Sequence, residues 1–283
     1  MPPNDSSARE TAGHVPPAVI RERIVLVASG KGGVGTSVAA SLLALGCASS
    51  GARVLLVDGH EGHGTLHHLF GVRPVISLDA LRDPLVPVED ALIHLGDRFT
   101  VVASKPASGE QIALTPDARR APFERLLPLS ADYDCVIVDG GSRLDSLLAI
   151  AACGAGRATI VTDADRISLA VNFALLKVLA QRTPTVSTSV LVNRHDQTVA
   201  MRAGAQLAEA CARFIDREVS IAGVVPDDVC LRAALGAGMP IGDAADQSPA
   251  AAAMQALAQR SFPSLFAAPA DARGAPHPLR RRS

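Results

Sequence analysis

The chain is punctuated by short stretches that read as strands, at residues 24–28, 54–57, 98–103, 135–138, 158–162, 186–192 and 221–225, of which 24–28, 54–57, 135–138 and 221–225 carry no polar side chain. Runs of this length without polar alternation predict strands buried on both faces, which is the signature of a parallel sheet. Helical segments fall between them. Residues 36–49 are rich in Ala and Leu; Thr115 and Pro116 read as N-cap and first helical position; and 199–215 comes after the strand at 186–192. Over 168–181, Leu169, Phe173, Leu176 and Ala180 form one stripe at helical spacing, with Leu175 and Leu179 beside it. Shorter helical pieces are expected around Leu78, Leu81, Ala91, Leu92 and Leu95, and Pro226 stops the last strand. Repeated β–α alternation predicts one doubly wound α/β domain over residues 22–265, its sheet mostly parallel and covered by helices on both faces. The polar, proline-bearing stretches 1–21 and 266–283 are expected to be disordered tails.

Composition alters this picture little. The 283 residues are 48% hydrophobic with a formal net charge of -1, so bulk charge points to no specific nucleic-acid partner. The cysteines, Cys47, Cys135, Cys153, Cys211 and Cys230, are odd in number and scattered, as expected of reduced, buried thiols. Without a signal-like N-terminus or a long apolar span, a cytoplasmic protein is expected. Met254, Leu257 and Ala258 make a helical stripe, but Pro263, Pro269, Pro276 and Pro278 interrupt the C-terminal residues beyond it. At most weak, peripheral contact of Arg280–Arg282 with an anionic inner membrane is expected.

The candidate chemistry lies where strands end, because ligands of open α/β sheets sit beyond the strands' carboxyl ends. The first strand breaks into Gly30-Lys31-Gly32-Gly33-Val34-Gly35-Thr36-Ser37, a glycine-rich loop feeding a helix. Such a loop turns backbone N–H groups onto a phosphate, with the lysine and hydroxyl of G-x-x-x-x-G-K-[ST] completing the site. Ser37 fills the magnesium-binding hydroxyl position, while Thr36 stands where that pattern wants lysine. Asp58 ends the second strand and Asp139 the strand at 135–138, where a nucleotide hydrolase holds magnesium directly or through water. His60, His63, His67 and His68, with Glu61, raise the possibility of a metal site. The order H-E-G-H falls one residue short of H-E-x-x-H, and the second-switch region offers no obvious further ligand, so the run reads instead as a polar, mobile loop.

The loop K-G-G-V-G-T-S resembles the deviant phosphate-binding loop of the MinD/ParA ATPases. VDGHEGHGTLHHLFGVRP is similar to that family's first switch, D-x-D-x-G-x-x-N-L-x-x-L-L-G, and DYDCVIVDGG to its Walker B strand and second switch. VTDADRISLAVNFALLKVL and GVVPDDVCLRAALGAGMPI resemble later segments, with greatest similarity to flagellar number regulators of the FlhG/FleN kind. The resemblance implies ATP and Mg2+ as ligands, residues 30–37 as the phosphate cradle, and Ser37, Asp58 and Asp139 around the metal. It also implies Asn193, Arg194, Pro226 and Asp227 near adenine, and Lys31 reaching in trans to the phosphates of an ATP-dependent homodimer. A protein partner in a polar or flagellar assembly is implied as well.

Three residues depart from the family pattern. Thr36 replaces the phosphate-facing lysine, His60 the aspartate that positions the attacking water, and Arg143, expected to face solvent, a second-switch glycine. The resemblance therefore implies ATP binding with weak or absent hydrolysis in a regulator of cellular positioning or number. The alternative is a non-hydrolysing scaffold like the TadZ/CpaE pilus localisation proteins.

Overall fold

The computed structural model describes residues 17–60, 63–105 and 114–267. An eight-stranded sheet runs in the order β3-β4-β2-β5-β1-β6-β7-β8. Its strands are β1 (Ile24–Ala28), β2 (Val54–Asp58), β3 (Ile93–His94), β4 (Phe99–Val102), β5 (Cys135–Gly141), β6 (Arg157–Thr162), β7 (Ser187–Asn193) and β8 (Ser220–Val225). Every pairing is parallel except that of β3 with β4. The doubly wound α/β architecture expected from the apolar runs is the one observed, and β1, β2 and β5 are buried along their whole length.

Alternate residues of the central strands feed two cores. Val25, Val27, Leu56 and Ile137 pack beneath α2 (Thr36–Ala48) and α10 (Pro249–Ser261), whereas Leu26, Leu55, Val136 and Val138 face α5 (Leu144–Ala152), α6 (Arg166–Arg182) and α7 (Gln197–Ile215). The Met254–Leu257–Ala258 stripe belongs to the first core, where all three are buried with α2 residues. Burying a Met or Leu side chain contributes about 1.5–3 kcal/mol, so this stripe is structural rather than a face for lipid. Among the described residues no helix is long and apolar enough to cross a membrane, and Arg280–Arg282 lie outside them.

The remaining helices are α1 (Pro17–Arg23), α3 (Leu66–Leu69), α4 (Pro116–Leu126), α8 (Val229–Gly236), α9 (Ile241–Ala244) and α11 (Pro263–Ala267). Thr115 caps α4 by accepting from the N–H of Ala118 at 3.2 Å, with Pro116 at the first helical position. Aspartates 165, 196 and 228 cap α6, α7 and α8 in the same way.

Several elements differ from their expected form. α1 occupies residues expected in the N-terminal tail, because the Arg21 carbonyl accepts from Gly156 N–H at 2.9 Å and Ile20 packs on the second core. At the other end, α11 forms after Pro263 and buries Leu265. The helical pieces at 78–95 are two 3-10 turns, Leu78–Arg82 and Glu89–Ala91, then β3, whose antiparallel pairing claims the residues between Leu92 and Leu95. Cys47, Cys135 and Cys211 are buried free thiols, but Cys153 is half-buried and Cys230 exposed, since Cys230 lies on the outer face of α8.

Candidate functional site

The carboxyl ends of β1, β2 and β5 open on one edge of the sheet, and the loop leaving β1 is held there from both sides. On one side, α6 presents Asn172, a fully buried amide whose Oδ1 accepts from Gly30 N–H at 2.7 Å while its Nδ2 donates to the Val161 carbonyl at 3.3 Å. On the other, Asn193 Nδ2 donates to the Val34 carbonyl at 2.8 Å and Arg194 to the Gly33 carbonyl at 2.6 Å. Val34 is buried and anchors the loop. Gly33 and Gly35 adopt φ of 80° and 90°, the left-handed region that a Cβ disfavours, and a Cβ on Gly35 would also lie 2.5 Å from Asn193 Nδ2.

The N–H groups of Gly30 and Lys31 are taken by Asn172 Oδ1 and Ser29 Oγ, and with the carbonyls of Gly33 and Val34 tied back, the later loop N–H groups and the first turn of α2 face a ligand. No side chain caps α2, so the N–H groups at its N-terminus have no partner within the helix. An uncapped, glycine-bounded helix N-terminus is an anion site by geometry and dipole together. Thr36 begins this helix and is buried; Ser37 comes next, half-exposed.

Asn172 is a residue that periodicity reading overlooks. The buried face of α6 is Ser168, Asn172, Leu175, Leu176 and Leu179; it keeps Leu176 of the expected stripe, and Leu175 and Leu179 beside it, whereas Leu169, Phe173 and Ala180 are only partly buried. The signal in the sequence is Ser168 and Asn172 at i, i+4 beside an apolar stripe, a spacing at which polar pairs share a face. Substituting Asn172 by Leu should strand the Gly30 N–H in a partly buried site, at a cost of about 1–3 kcal/mol. Urea denaturation should show that loss together with weakened binding at the loop. An unchanged midpoint would mean that the loop is held without Asn172.

Lys31 does not point into open solvent. Its ammonium lies 2.7 Å from Asp165 Oδ2, 2.9 Å from Ser168 Oγ and 3.5 Å from Asp163 Oδ2. The hydrogen bond to Asp165 holds the Lys31 pKa above its ordinary value, and Asp165 is held well below the usual carboxylate range by Asp163 and Lys31.

Asp58 and Asp139 are paired in register on adjacent strands and fully buried. Asp58 Oδ2 accepts from the N–H groups of Thr65 and Leu66 at 2.9 and 3.1 Å, and its Oδ1 from that of His60 at 3.2 Å. These bonds tether His60, Thr65 and Leu66, in a stretch that the sequence alone suggests is a mobile loop, while Glu61 lies outside the described residues. Burial, then the Asp139 charge, push the Asp58 carboxyl up to about 7. Burial raises Asp139 as well, against the lowering effects of the Ser37 hydroxyl, Gly141 N–H and His60. Asp139 Oδ2 is buried with no hydrogen-bond partner. Ser37, a cradle of N–H groups and two buried carboxylates with an orphaned oxygen together fit a divalent cation beside an anionic ligand.

The histidine run is not gathered as its spacing suggests. His67 and His68 stack at 3.9 Å between ring centroids and His63 lies 6.4 Å from His60, whereas the metal-capable group among the described residues is Asp58, His60 and Asp139. Asp58 and Asp139 are expected around a metal; what spacing does not disclose is that His60, and none of the other histidines of the run, joins them. Arg143 occupies the N-cap position of α5 and is half-buried rather than solvent-facing. Beside the loop, Asn193, Arg194, Pro226 and Asp227 line a cleft with apolar walls from Val38, Leu42, Leu231 and Met254. Arg232 pairs with Asp227 at 2.5 Å on its rim.

Comparison with known proteins agrees with this geometry. Residues 25–241 match the model of the CobQ/CobB/MinD/ParA nucleotide binding domain. The chain is 26% identical over 240 residues to the antiactivator FleN of Pseudomonas aeruginosa, covering 84% of this chain and 85% of that one. It is 25% identical over 232 residues to the septum site-determining protein MinD of Thermotoga maritima, covering 77% and 80%. Among solved structures, MinD of Pyrococcus horikoshii complexed with Mg-ADP superposes with a TM-score of 0.68 at 21% identity, covering 84% of this chain and 95% of that one. The chain thus belongs to the CobQ/CobB/MinD/ParA family of nucleotide-binding domains.

Proposed function

We propose that this protein binds Mg–ATP at the 30–37 loop and acts as a slowly turning or non-turning regulator of cellular positioning or number, in the manner of a FleN-type antiactivator. The observation that carries the reading is the loop itself: uncapped, glycine-bounded, tied back through its carbonyls, and placed beside two buried carboxylates that need a cation. In this reading the loop N–H groups take the phosphates, Ser37 holds the magnesium, Asp58 and Asp139 surround it, and the cleft at Asn193, Arg194, Pro226 and Asp227 takes adenine. Weak turnover is supported by His60, an imidazole where a carboxylate would orient water more strongly, and by Thr36. Those two residues also favour the second reading, a scaffold that keeps the fold without hydrolysing ATP.

Titration with a fluorescent ATP analogue, with and without Mg2+, tests the reading; no saturable binding at millimolar nucleotide would exclude it. For Lys31 the proposed role is transfer from Asp165 to the phosphates of a second copy. Lys31→Ala should then abolish an ATP-dependent dimer in analytical ultracentrifugation while leaving monomer binding of the analogue within a fewfold. A dimer that persists in the variant would remove Lys31 from the interface. The contact with Asp165 and Ser168 must break for the transfer, so Asp165→Asn is expected to lower the ATP concentration at which the dimer forms.

A further inference from the structure

We propose that Asp58, His60 and Asp139 form a three-ligand site for a first-row transition-metal dication such as Mn2+, Co2+ or Zn2+, and that it fills without nucleotide. One ligand atom from each residue lies within 4.8 Å of the others. Two of the three groups present buried atoms with no hydrogen-bond partner, Asp139 Oδ2 and His60 Nδ1, and Asp139 is fully buried. Polar atoms placed there without partners cost on the order of 1–3 kcal/mol each, and a shared cation satisfies both.

The fold sets this arrangement firmly. Asp58 and Asp139 are register partners on neighbouring parallel strands, so the sheet itself holds two carboxylates side by side. Among the described residues neither is ion-paired to a lysine or arginine. The backbone N–H of His60 is fixed on Asp58 Oδ1, and the imidazole lies across Gly141, where a Cβ would fall 2.4 Å from His60 Cδ2. Any other residue at 141 would displace the ring. His60 is half-buried while both aspartates are buried, so it is the most accessible member of the group.

The donor set decides the class of ion. Magnesium takes oxygen ligands in near-ideal octahedra and keeps its waters, whereas imidazole nitrogen suits Zn2+, Co2+, Ni2+ and Mn2+. Two carboxylates and one imidazole with open positions are the ligand count of an accessible transition-metal site. Histidine at position 60, where the family's switch has an aspartate, thus changes a purely oxygen environment into a mixed one. The inference does not depend on ATP occupying the loop.

The test uses the full chain, stripped with EDTA, desalted and free of nucleotide. Calorimetric titration with Co2+ is expected to give one site per chain, bound at least about tenfold more tightly than Mg2+, and the visible absorption of bound Co2+ should report nitrogen ligation. His60→Asp, which restores the family's residue, should shift that spectrum and remove the preference over Mg2+. His60→Ala should weaken Co2+ roughly tenfold or more, with circular dichroism reporting whether the variant folds. Co2+ affinity and spectrum unchanged in His60→Asp would assign the ion to other groups and overturn the site, as would equal affinities for Co2+ and Mg2+ in the unsubstituted protein. Mg–ATP binding, measured on the same samples, reports separately on the loop.

Discussion

Thr36→Lys is expected to tighten Mg–ATP binding by roughly 10- to 150-fold, the equivalent of a charge-assisted hydrogen bond contributing about 1.5–3 kcal/mol. The backbone of the cradle already exists. Gly33 and Gly35 hold the left-handed conformations it needs, Asn172 and Asn193 pin it from opposite sides, and α2 opens without a capping side chain. What is missing is a cation on the loop's own helix, because Lys31 is engaged by Asp165 and Ser168. Thr36 begins α2, and an extended side chain there can run from the helix N-terminus toward the bound phosphates. Part of the gain is offset because Thr36 is buried, so the longer stem must leave that environment to reach the anion. A fluorescent-analogue titration at fixed Mg2+ reads the effect, and ATP turnover in the same variant separates the two missing groups. Turnover restored by lysine alone would show that His60 suffices to orient water. Tighter binding without turnover would place the catalytic deficit at His60. An unchanged affinity would mean that position 36 faces the core between α2 and the sheet, and not the phosphates.

The sheet was legible in the sequence because it is parallel and largely buried: the expected strands ended within a residue or two of β1, β2, β4, β6, β7 and β8, and β5 ran three residues further, to Gly141. β3 was not, since two residues carry no periodicity and Ile93–His94 become a strand only by pairing with Thr100 and Val101. The strand ends Asp58 and Asp139 could be marked as chemically apt. Their adjacency could not, because it depends on β5 inserting between β1 and β2, a matter of topology. The same limit hid the place of His60 beside those two carboxylates, since it follows from their adjacency and not from the spacing of the histidine run. Asn172 was lost for a different reason. Hydrophobic scoring assumes that the buried face is the apolar one, and here α6 turns Ser168 and Asn172 inward because the β1 loop needs an acceptor for its N–H groups.

The buried carboxylate pair leads to a second large effect, in which stability and ligand binding move in opposite directions. Asp58 has its carboxyl raised from 3.8 to about 7, chiefly by burial and then by Asp139. Because the folded state holds this proton more tightly than the unfolded chain does, ionisation costs nothing below about pH 4. The cost grows as pH rises toward 7 and is complete above it, at about 4 kcal/mol. Asp139→Asn removes the second charge but keeps the Oδ1 acceptor for Gly141 N–H, and it places an amide donor at the Oδ2 position that had no partner. Burial being the larger cause, the share relieved is on the order of 1–2 kcal/mol. In the absence of ligand and metal the variant should therefore melt a few degrees higher than the unsubstituted protein at pH 8, with the difference closing by pH 5, where Asp58 carries its proton in both. Its response to divalent cations should be lost, because the carboxylates that destabilise the empty site are the ones that hold the ion. Differential scanning calorimetry at the two pH values, with EDTA or with metal, reads both halves. A variant that melts lower at pH 8 would show that Asp139 contributes more through its hydrogen bonds than it costs through its charge.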